Sequence, residues 1–154
     1  MSDSRDTVSV ERFIASPPGP IFALIADPTR HREIDGSGTV RDAKQASQEL
    51  KLGSSFGMAM KMGLPYSMVS TVVEYEKDAL LAWQTRGPTA IGKLVGGRIW
   101  RYELEAEDGG TLVRETWDIS RESLLTKPLV RQGGKATAKN MAATLDRIAE
   151  IVEA

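Results

Sequence analysis

The chain has 154 residues, of which 41% are hydrophobic and 27% are charged, as expected for one soluble globular domain. A formal net charge of −1 gives no basic field for nucleic acid, and the absence of cysteine excludes disulfides, thiolate metal sites and a cysteine nucleophile. The first residues lack the apolar segment of a signal peptide, and no apolar run is long enough to span a membrane. We therefore expect a single cytoplasmic domain, residues 1–154, with no membrane insertion.

The first predicted elements are a strand and two short helical segments. Residues 7–14 alternate apolar and polar side chains, which predicts a strand. Ser16 is a suitable N-cap and Pro17 suits the first helical position, so a short helix is predicted to follow. Residues 29–35 predict one more helical turn, and a second strand is expected to begin near Val40.

From residue 54 onward the hydrophobic pattern has a period of two. Together with the strand near Val40, this predicts about six strands after the short helices, in an antiparallel sheet with one wet face. The segment RIWRYELEAE, residues 98–107, alternates most clearly, and DGG at 108–110 predicts a hairpin turn. After Ser120 the spacing changes to that of a helix. One apolar stripe of a long C-terminal helix is predicted from Met141, Leu145, Ile148 and Val152.

In this order, the elements resemble the START-like (SRPBCC) superfamily. The resemblance is carried by FIASPPGPIFALIADPTRHREID (13–35), the meander strands, GRIWRYELEAEDGGTLVRETWDIS (97–120) and the closing amphipathic helix. Within the superfamily, the chain looks most like the polyketide cyclase/dehydrase and lipid transport family. The resemblance implies an α+β helix-grip fold: about seven curved antiparallel strands wrap the long C-terminal helix, two short helices follow strand 1, and a hydrophobic cavity lies between sheet and helix. Members include carriers, receptors and cyclases, so the fold alone does not define the activity.

Methionines are concentrated in the segment FGMAMKMGLPYSM, residues 56–68, which holds four of the six in the chain. If this strand faces inward, its alternate residues are flexible, polarizable side chains suited to variable apolar ligands. Tryptophan and tyrosine on the other strands add apolar faces with a polar handle. The alternative is that all of these side chains fill an ordinary core. The predicted ligand-binding residues are Phe56, Met58, Met60, Tyr66, Met68, Trp83, Trp100, Tyr102, Trp117, Met141 and Leu145.

Two charged residues interrupt the apolar faces of the first and last strands. Arg12 alternates in step with apolar residues of the first strand, and Glu115 does so on the last. The resemblance makes these strands neighbours, so the two side chains would meet inside the sheet and anchor a ligand hydroxyl or carboxylate; alternatively, they point to solvent. Glu115 is also the candidate catalytic residue, because acid–base chemistry would otherwise depend on Arg12, Tyr66, Tyr75 or Tyr102.

His31 is the only histidine in the chain. We interpret it as a surface residue of a helix or loop, although a catalytic triad with Asp27 or Asp35 is formally possible if a serine lies nearby. No second histidine or cysteine is available for a metal site. The glycine-rich segment at 92–98 lacks the spacing of a phosphate-binding loop. We therefore predict no metal and no cofactor.

Two surface features suggest other roles. In the family's fold, the loop at 92–98 lies near the cavity mouth, so Ile91, Leu94 and Val95 would form a mobile apolar gate. Further on, four basic residues recur at four-residue steps and would form one stripe if the segment is helical. The stripe would contact an anionic surface or a protein partner, or would simply be a solvated face. Its members are Lys127, Arg131, Lys135 and Lys139.

Three functions fit these features. The first is a carrier or sensor that binds a lipid, a polyketide-like molecule or an aromatic molecule in the internal cavity. The second is a polyketide cyclase/dehydratase-type enzyme acting on such a ligand. The third is a protein-interaction module, chaperone-activating or toxin-like, that uses the basic outer face. We favour the first, since it requires only an apolar pocket with a few polar anchors.

Overall fold

Seven antiparallel strands form one sheet in the computed structural model, which describes residues 6–36, 40–43, 50–62, 64–87 and 96–153; at 40–43, 59–62 and 64–67 the description covers the backbone alone. The strands are β1 (Thr7–Ile14), β2 (Val40–Ala43), β3 (Ser55–Met62), β4 (Leu64–Glu76), β5 (Leu80–Arg86), β6 (Gly96–Glu107) and β7 (Gly110–Asp118). The helices are α1 (Pro18–Ile25), α2 (His31–Ile34), α3 (Lys127–Arg131) and α4 (Gly134–Val152), with a 3-10 turn at Pro28–Arg30.

The order of the strands in the sheet is β1-β7-β6-β5-β4-β3-β2. Strands β3 to β7 are a meander in which each strand pairs with the next, whereas β1 pairs with β7 at one edge and β2 lies at the other. The two short helices follow β1 and lead to the opposite edge. The first and last strands are therefore neighbours, as the resemblance implies.

Helix α1 begins at Pro18 without a side-chain cap. The prediction that Ser16 is the N-cap is wrong, because the N-cap position is Pro17 and the Ser16 hydroxyl donates to the Pro17 carbonyl at 3.0 Å. An N-cap side chain accepts from the N–H groups of the second or third helical residue, and the third residue here is Pro20, which has none. Proline fixes the start of this helix instead.

Helix α4 packs against the sheet through the predicted apolar stripe. Met141, Leu145 and Ile148 are buried in it, and Val152 is half-buried. We call the sheet face that packs against α4 the inner face. Strand alternation places Tyr102 of β6 and Glu115 of β7 on this face, directly opposite each other in the ladder. The antiparallel sheet around a long C-terminal helix confirms the predicted helix-grip fold.

The chain just after α2 comes unusually close to α4. A Cβ atom at Gly36 would lie 2.2 Å from the main-chain oxygen of Asn140, so no larger residue fits without moving the helix. The Gly36 N–H donates to the Thr144 hydroxyl at 2.8 Å. This backbone contact fixes the distance between the end of α2 and the middle of α4, which are two of the walls of the site described below.

Candidate functional site

A pocket of about 160 Å³ lies between the inner face of the sheet and helices α2 and α4. Its sheet wall consists of Phe56, Met58, Met68, Ser70, Trp83, Thr85, Trp100, Tyr102 and Glu115. Its helical wall consists of His31, Ile34, Asp35, Thr137, Asn140, Met141 and Thr144. The pocket thus combines a largely aromatic and thioether surface on the sheet with a mixed polar surface on the helices.

Aromatic rings in mutual contact form the sheet wall. Trp83 lies at their centre: its ring stacks on His31 with centroids 5.0 Å apart and meets Phe56 edge-on at 5.6 Å. Tyr102 is tilted against Trp83 at 5.7 Å, and Trp100 faces Trp83 across the β5–β6 ladder. Rings locked by such contacts present a fixed apolar surface to a ligand, at little cost in conformational entropy.

His31 is buried, with 7% of its surface exposed, so the interpretation of this residue as a surface histidine is wrong. The first residue of α2 shares a helical face with Ile34, and that face packs on the sheet. The Nε2 atom of His31 donates to the main-chain oxygen of Ile25 at 2.8 Å. Burial lowers the pKa of the imidazole, so the neutral ring is favoured near pH 7.

Glu115 is 3% exposed, and its Oε2 atom has no hydrogen-bond partner. Burial, with a smaller effect from the negative charge of Asp35, raises the pKa of its carboxyl to about 8, although a hydrogen bond with Tyr102 acts in the opposite direction. Burial, with the neighbouring Glu115, also raises the pKa of the Tyr102 phenol well above its usual value. At pH 7 the protonated carboxyl predominates, which is a proton donor within an apolar wall.

Arg12 lies on the inner side of β1 but does not pair with Glu115. Its guanidinium forms an ion pair with Asp146 of α4, and its side chain is 40% exposed. The polar anchor expected from Arg12 and Glu115 together is therefore not formed. Strand alternation determines which face of the sheet a side chain occupies, but it does not determine the partner of a long side chain. The Arg12 side chain extends to the carboxylate of Asp146 on α4, which lies nearer to solvent.

Of the predicted ligand-binding residues, the structure brings eight to the pocket wall: Phe56, Met58, Met68, Trp83, Trp100, Tyr102, Glu115 and Met141. Trp117 and Leu145 are buried in the core outside this wall. The side chains of Met60 and Tyr66 lie outside the described residues, as do Ile91, Leu94 and Val95 of the predicted gate. A role in ligand contact stays a prediction for every one of these residues.

The polar helical wall was missed by the sequence analysis. Thr137, Asn140, Met141 and Thr144 recur at the spacing of one helical face, and all four line the pocket. This helical spacing is visible in the sequence, but the apolar periodicity that predicts the buried face of the terminal helix does not include threonine and asparagine. Ser70 and Thr85 were also missed; their hydroxyls are hydrogen-bonded to each other at 2.8 Å across the β4–β5 ladder.

The four basic residues proposed to form one stripe are divided between two helices. Lys127 and Arg131 belong to α3, whereas Lys135 and Lys139 belong to α4, and Gln132 and Gly133 separate the helices. The first two also bind Asp6, with closest distances of 3.1 Å and 2.8 Å. The condition of one continuous helix is therefore not met, and two of the four cations share the Asp6 carboxylate.

Two kinds of feature are absent from the part of the chain that the structure describes. No group of three or more histidine or acidic side chains within the described part of the chain is arranged to hold a metal ion. None of the described helices is both long and apolar enough to cross a membrane.

Comparison with known proteins identifies the family. Residues 5–153 match the family model described as polyketide cyclase/dehydrase and lipid transport. The chain belongs to this family. This match confirms the family resemblance inferred from the order of the elements, and it extends over nearly the whole sequence.

Similar proteins agree with this family assignment. The uncharacterized protein Rv0088 of Mycobacterium tuberculosis is 35% identical over 152 residues, and the chain spans 63% of the length of that relative. A protein from Chromobacterium violaceum has a TM-score of 0.71 at 15% identity, covering 97% of this chain and 98% of the other. One from Arthrobacter aurescens has a TM-score of 0.73 at 14% identity, covering 99% and 90%. At these identities the two structures show that the fold is shared.

Proposed function

We propose that residues 1–154 form a single ligand-binding domain that holds a small hydrophobic molecule in the pocket between the inner face and α4, as a carrier or sensor. The observation that carries this proposal is the pocket itself: a wall of mutually contacting aromatic rings with one buried carboxyl oxygen left unbonded. Ligand sites are mostly apolar, with a few convergent polar groups that orient the bound molecule. The family description, which includes lipid transport, supports the same class of function.

The volume of the pocket limits the size of the buried part of the ligand. At about 160 Å³, it is close to the ~150 Å³ of an engineered protein cavity that binds benzene. One aromatic ring, a fused pair of rings the size of indole, or a short branched hydrocarbon therefore fills it. A long acyl chain or a multi-ring polyketide would extend beyond the pocket or require it to widen.

Two neighbouring positions on β4 provide a matched test. Met68 lines the pocket, whereas Val69 points to the opposite face and is 38% exposed. We expect Met68→Trp to fill the pocket and Val69→Trp to leave it unchanged. A panel of neutral one- and two-ring aromatic molecules is titrated by calorimetry into the wild type and both variants.

The expected result is that the panel molecules bound by the wild type lose at least tenfold in affinity in Met68→Trp and less than twofold in Val69→Trp. Native mass spectrometry of the freshly purified protein, repeated under denaturing conditions, tests whether a ligand is retained through purification. If no panel molecule binds and no additional mass is present, or if both variants bind like the wild type, the pocket is not a ligand site.

An enzymatic role is a second candidate, and a specific observation favours it. Glu115 is a buried carboxyl whose pKa of about 8 suits proton transfer near neutral pH. The phenol of Tyr102 lies opposite it in the ladder. If the protein turns over its ligand by general acid–base chemistry, Glu115→Gln abolishes turnover while retaining ligand binding. Equal loss of binding and turnover would indicate that Glu115 only holds the ligand.

A further inference from the structure

We propose that the pocket selects its ligand by charge, binding an apolar ring that carries a cationic amine and rejecting carboxylates, with Glu115 as the residue that recognises the amine. This inference rests on the proposed ligand-binding function and adds the chemical class of the ligand. It reverses the expectation that Arg12 and Glu115 together anchor a hydroxyl or carboxylate.

The first observation is the unbonded oxygen of Glu115. Buried carboxyl oxygens almost always have a partner, because an unbonded polar atom away from water is costly. Oε2 of Glu115 has none, although only 3% of the surface of this residue is exposed and its side chain lines the pocket. A ligand group that donates to this oxygen would remove that cost.

The second observation is the sign of the charges around the pocket. Its described lining contains two carboxyl groups, from Glu115 and Asp35, and neither lysine nor arginine. A ligand carboxylate in the pocket would therefore lie beside acidic side chains, with no basic side chain in the described lining. An ammonium group would face complementary charge and would also be attracted to the faces of aromatic rings.

Two arginines on the inner side of the described strands are bound outside the pocket. Arg12 of β1 pairs with Asp146, and Arg98 of β6 forms two bonds with Glu122 at 3.2 Å and 3.3 Å. Each is held by a carboxylate that does not line the pocket. Neither of these two arginines is therefore available to neutralise a bound anion or to compete with a bound amine.

The groups that face Glu115 come from several elements. Tyr102 of β6 lies opposite it, and Asp35 after α2 contributes a negative charge. From β1, Val10 is its apolar neighbour in the ladder. Helix α4 presents only neutral groups to the pocket, namely Thr137, Asn140, Met141 and Thr144, while its Arg147 donates to the main-chain oxygen of Asp35 at 2.8 Å.

Binding an amine is coupled to the release of a proton. With a pKa of about 8, roughly one tenth of the Glu115 side chains are ionised at pH 7. Because only the ionised form binds the amine, the apparent amine affinity at pH 7 is about tenfold lower than that of the ionised form. Below pH 8, the affinity for an amine should rise up to tenfold per pH unit, as one proton leaves Glu115 for each ligand bound. A neutral ligand of the same shape releases none.

The test uses three probes that share one ring system: tryptamine as the cation, tryptophol as the neutral molecule and indole-3-acetate as the anion. Each is titrated by calorimetry at pH 7 in two buffers of different ionisation enthalpy, into the wild type, Glu115→Gln and Glu103→Gln. Glu103 is the matched control, since it lies on the exposed side of β6, next to Tyr102 in sequence.

We expect tryptamine to bind the wild type at least tenfold more tightly than indole-3-acetate, with close to one proton released per tryptamine. Glu115→Gln should lose at least tenfold in tryptamine affinity and change tryptophol affinity less than threefold, whereas Glu103→Gln should match the wild type. The proton release of the wild type provides the test even if Glu115→Gln does not fold.

Three outcomes would overturn the inference. If tryptophol or indole-3-acetate binds as tightly as tryptamine, or tryptamine binds without proton release, charge selection is wrong and the ligand-binding proposal stands. If none of the three probes binds while other neutral aromatic molecules bind in a manner sensitive to Met68→Trp, charge selection is again wrong. Failure of every aromatic probe removes the ligand-binding proposal, and this inference fails with it.

Discussion

The two faces of the sheet differ in how their acidic side chains are paired. On the outer face Arg101 binds Glu74 through two contacts of 2.8 Å and 2.7 Å, and Arg114 binds Glu11 at 2.9 Å. On the inner face Glu115, the residue next to Arg114, is buried with one oxygen unbonded. These outer carboxylates are paired within the protein, as are the inner arginines Arg12 and Arg98, whereas one oxygen of Glu115 has no partner among the described residues.

The outer ion pairs and the buried carboxyl also differ in their effect on stability. Half-exposed ion pairs on an outer face keep the protein soluble and contribute little free energy, since water and salt screen them. A buried carboxyl without a full set of partners reduces stability whenever it ionises. Its position in a pocket wall is more readily explained by ligand binding than by folding. The predictions below test this contrast, from the largest expected effect to the smallest.

The largest effect is expected from the aromatic wall on the inner face. Trp83→Ala removes the contacts of this ring with His31, Phe56 and Tyr102. Large-to-small changes of buried aromatic residues typically cost about 3–5 kcal/mol. Urea unfolding measures the loss, with Glu103→Ala on the outer face as a control expected to change stability by less than about 0.5 kcal/mol. Similar losses in the two variants would contradict the contrast between faces.

The second effect concerns the pH dependence contributed by Glu115. Its folded-state pKa of about 8 lies above the ordinary carboxyl value of 4.5, so between these values the folded protein holds a proton that the unfolded chain lacks. Raising the pH through this window therefore lowers the free energy of unfolding, by about 1 kcal/mol per pH unit from this group. Glu115→Gln should remove this decline.

His31 has the opposite effect at lower pH, so the measurement of Glu115 is clearest above pH 6.5. The lowered pKa of the buried imidazole means that the unfolded chain takes up a proton first as the pH falls below 6.5. Stability from this group is thus present above pH 6.5 and declines below it. Urea titrations from pH 6.5 to 8.5 isolate Glu115, and equal slopes in wild type and Glu115→Gln would show that the carboxyl is not buried as described.

A smaller effect is expected for the bidentate pair on the outer face. Glu74→Gln weakens both contacts to Arg101, whose side chain is 21% exposed while that of Glu74 is 37% exposed. The hydrogen bond from Arg101 lowers the pKa of Glu74, so the stability it contributes is lost on acidification below pH 4.5. We expect a loss of about 1 kcal/mol at neutral pH, reduced in 1 M salt. A loss that is independent of salt would indicate a packing role instead.

The smallest effect is expected at Arg12. Its ion pair with Asp146 is half-exposed, so Arg12→Ala should lower the free energy of unfolding by about 1 kcal/mol or less. Because Arg12 does not line the pocket, tryptamine affinity should change less than twofold. A strong loss of affinity in this variant, with folding intact, would restore the paired anchor of Arg12 and Glu115.

Sequence patterns predicted which elements form and which face of an element each side chain occupies. They did not predict which distant residues those side chains contact. Alternation placed Trp100 and Tyr102 on the inner face, and the apolar stripe placed Met141 against the sheet, because both depend only on local periodicity. The burial of His31 was not predictable in this way, since it depends on how α2 packs against the sheet. The partner of Arg12 likewise comes from a helix distant in sequence.

The strand order also determines how the protein reaches its native state. Ladders from β3 to β7 join consecutive strands and close small loops, whereas β1 must pair with β7, with Thr7 opposite Asp118. Closing so large a loop loses entropy before the stabilising contacts between β1 and β7 form, so we expect β1 to dock late in folding. Val10→Ala should then accelerate unfolding in stopped-flow experiments and leave the folding rate nearly unchanged. Until β1 docks, the β7 edge next to Glu115 is unpaired, so a newly made chain has an incomplete pocket and an open sheet edge at the same moment.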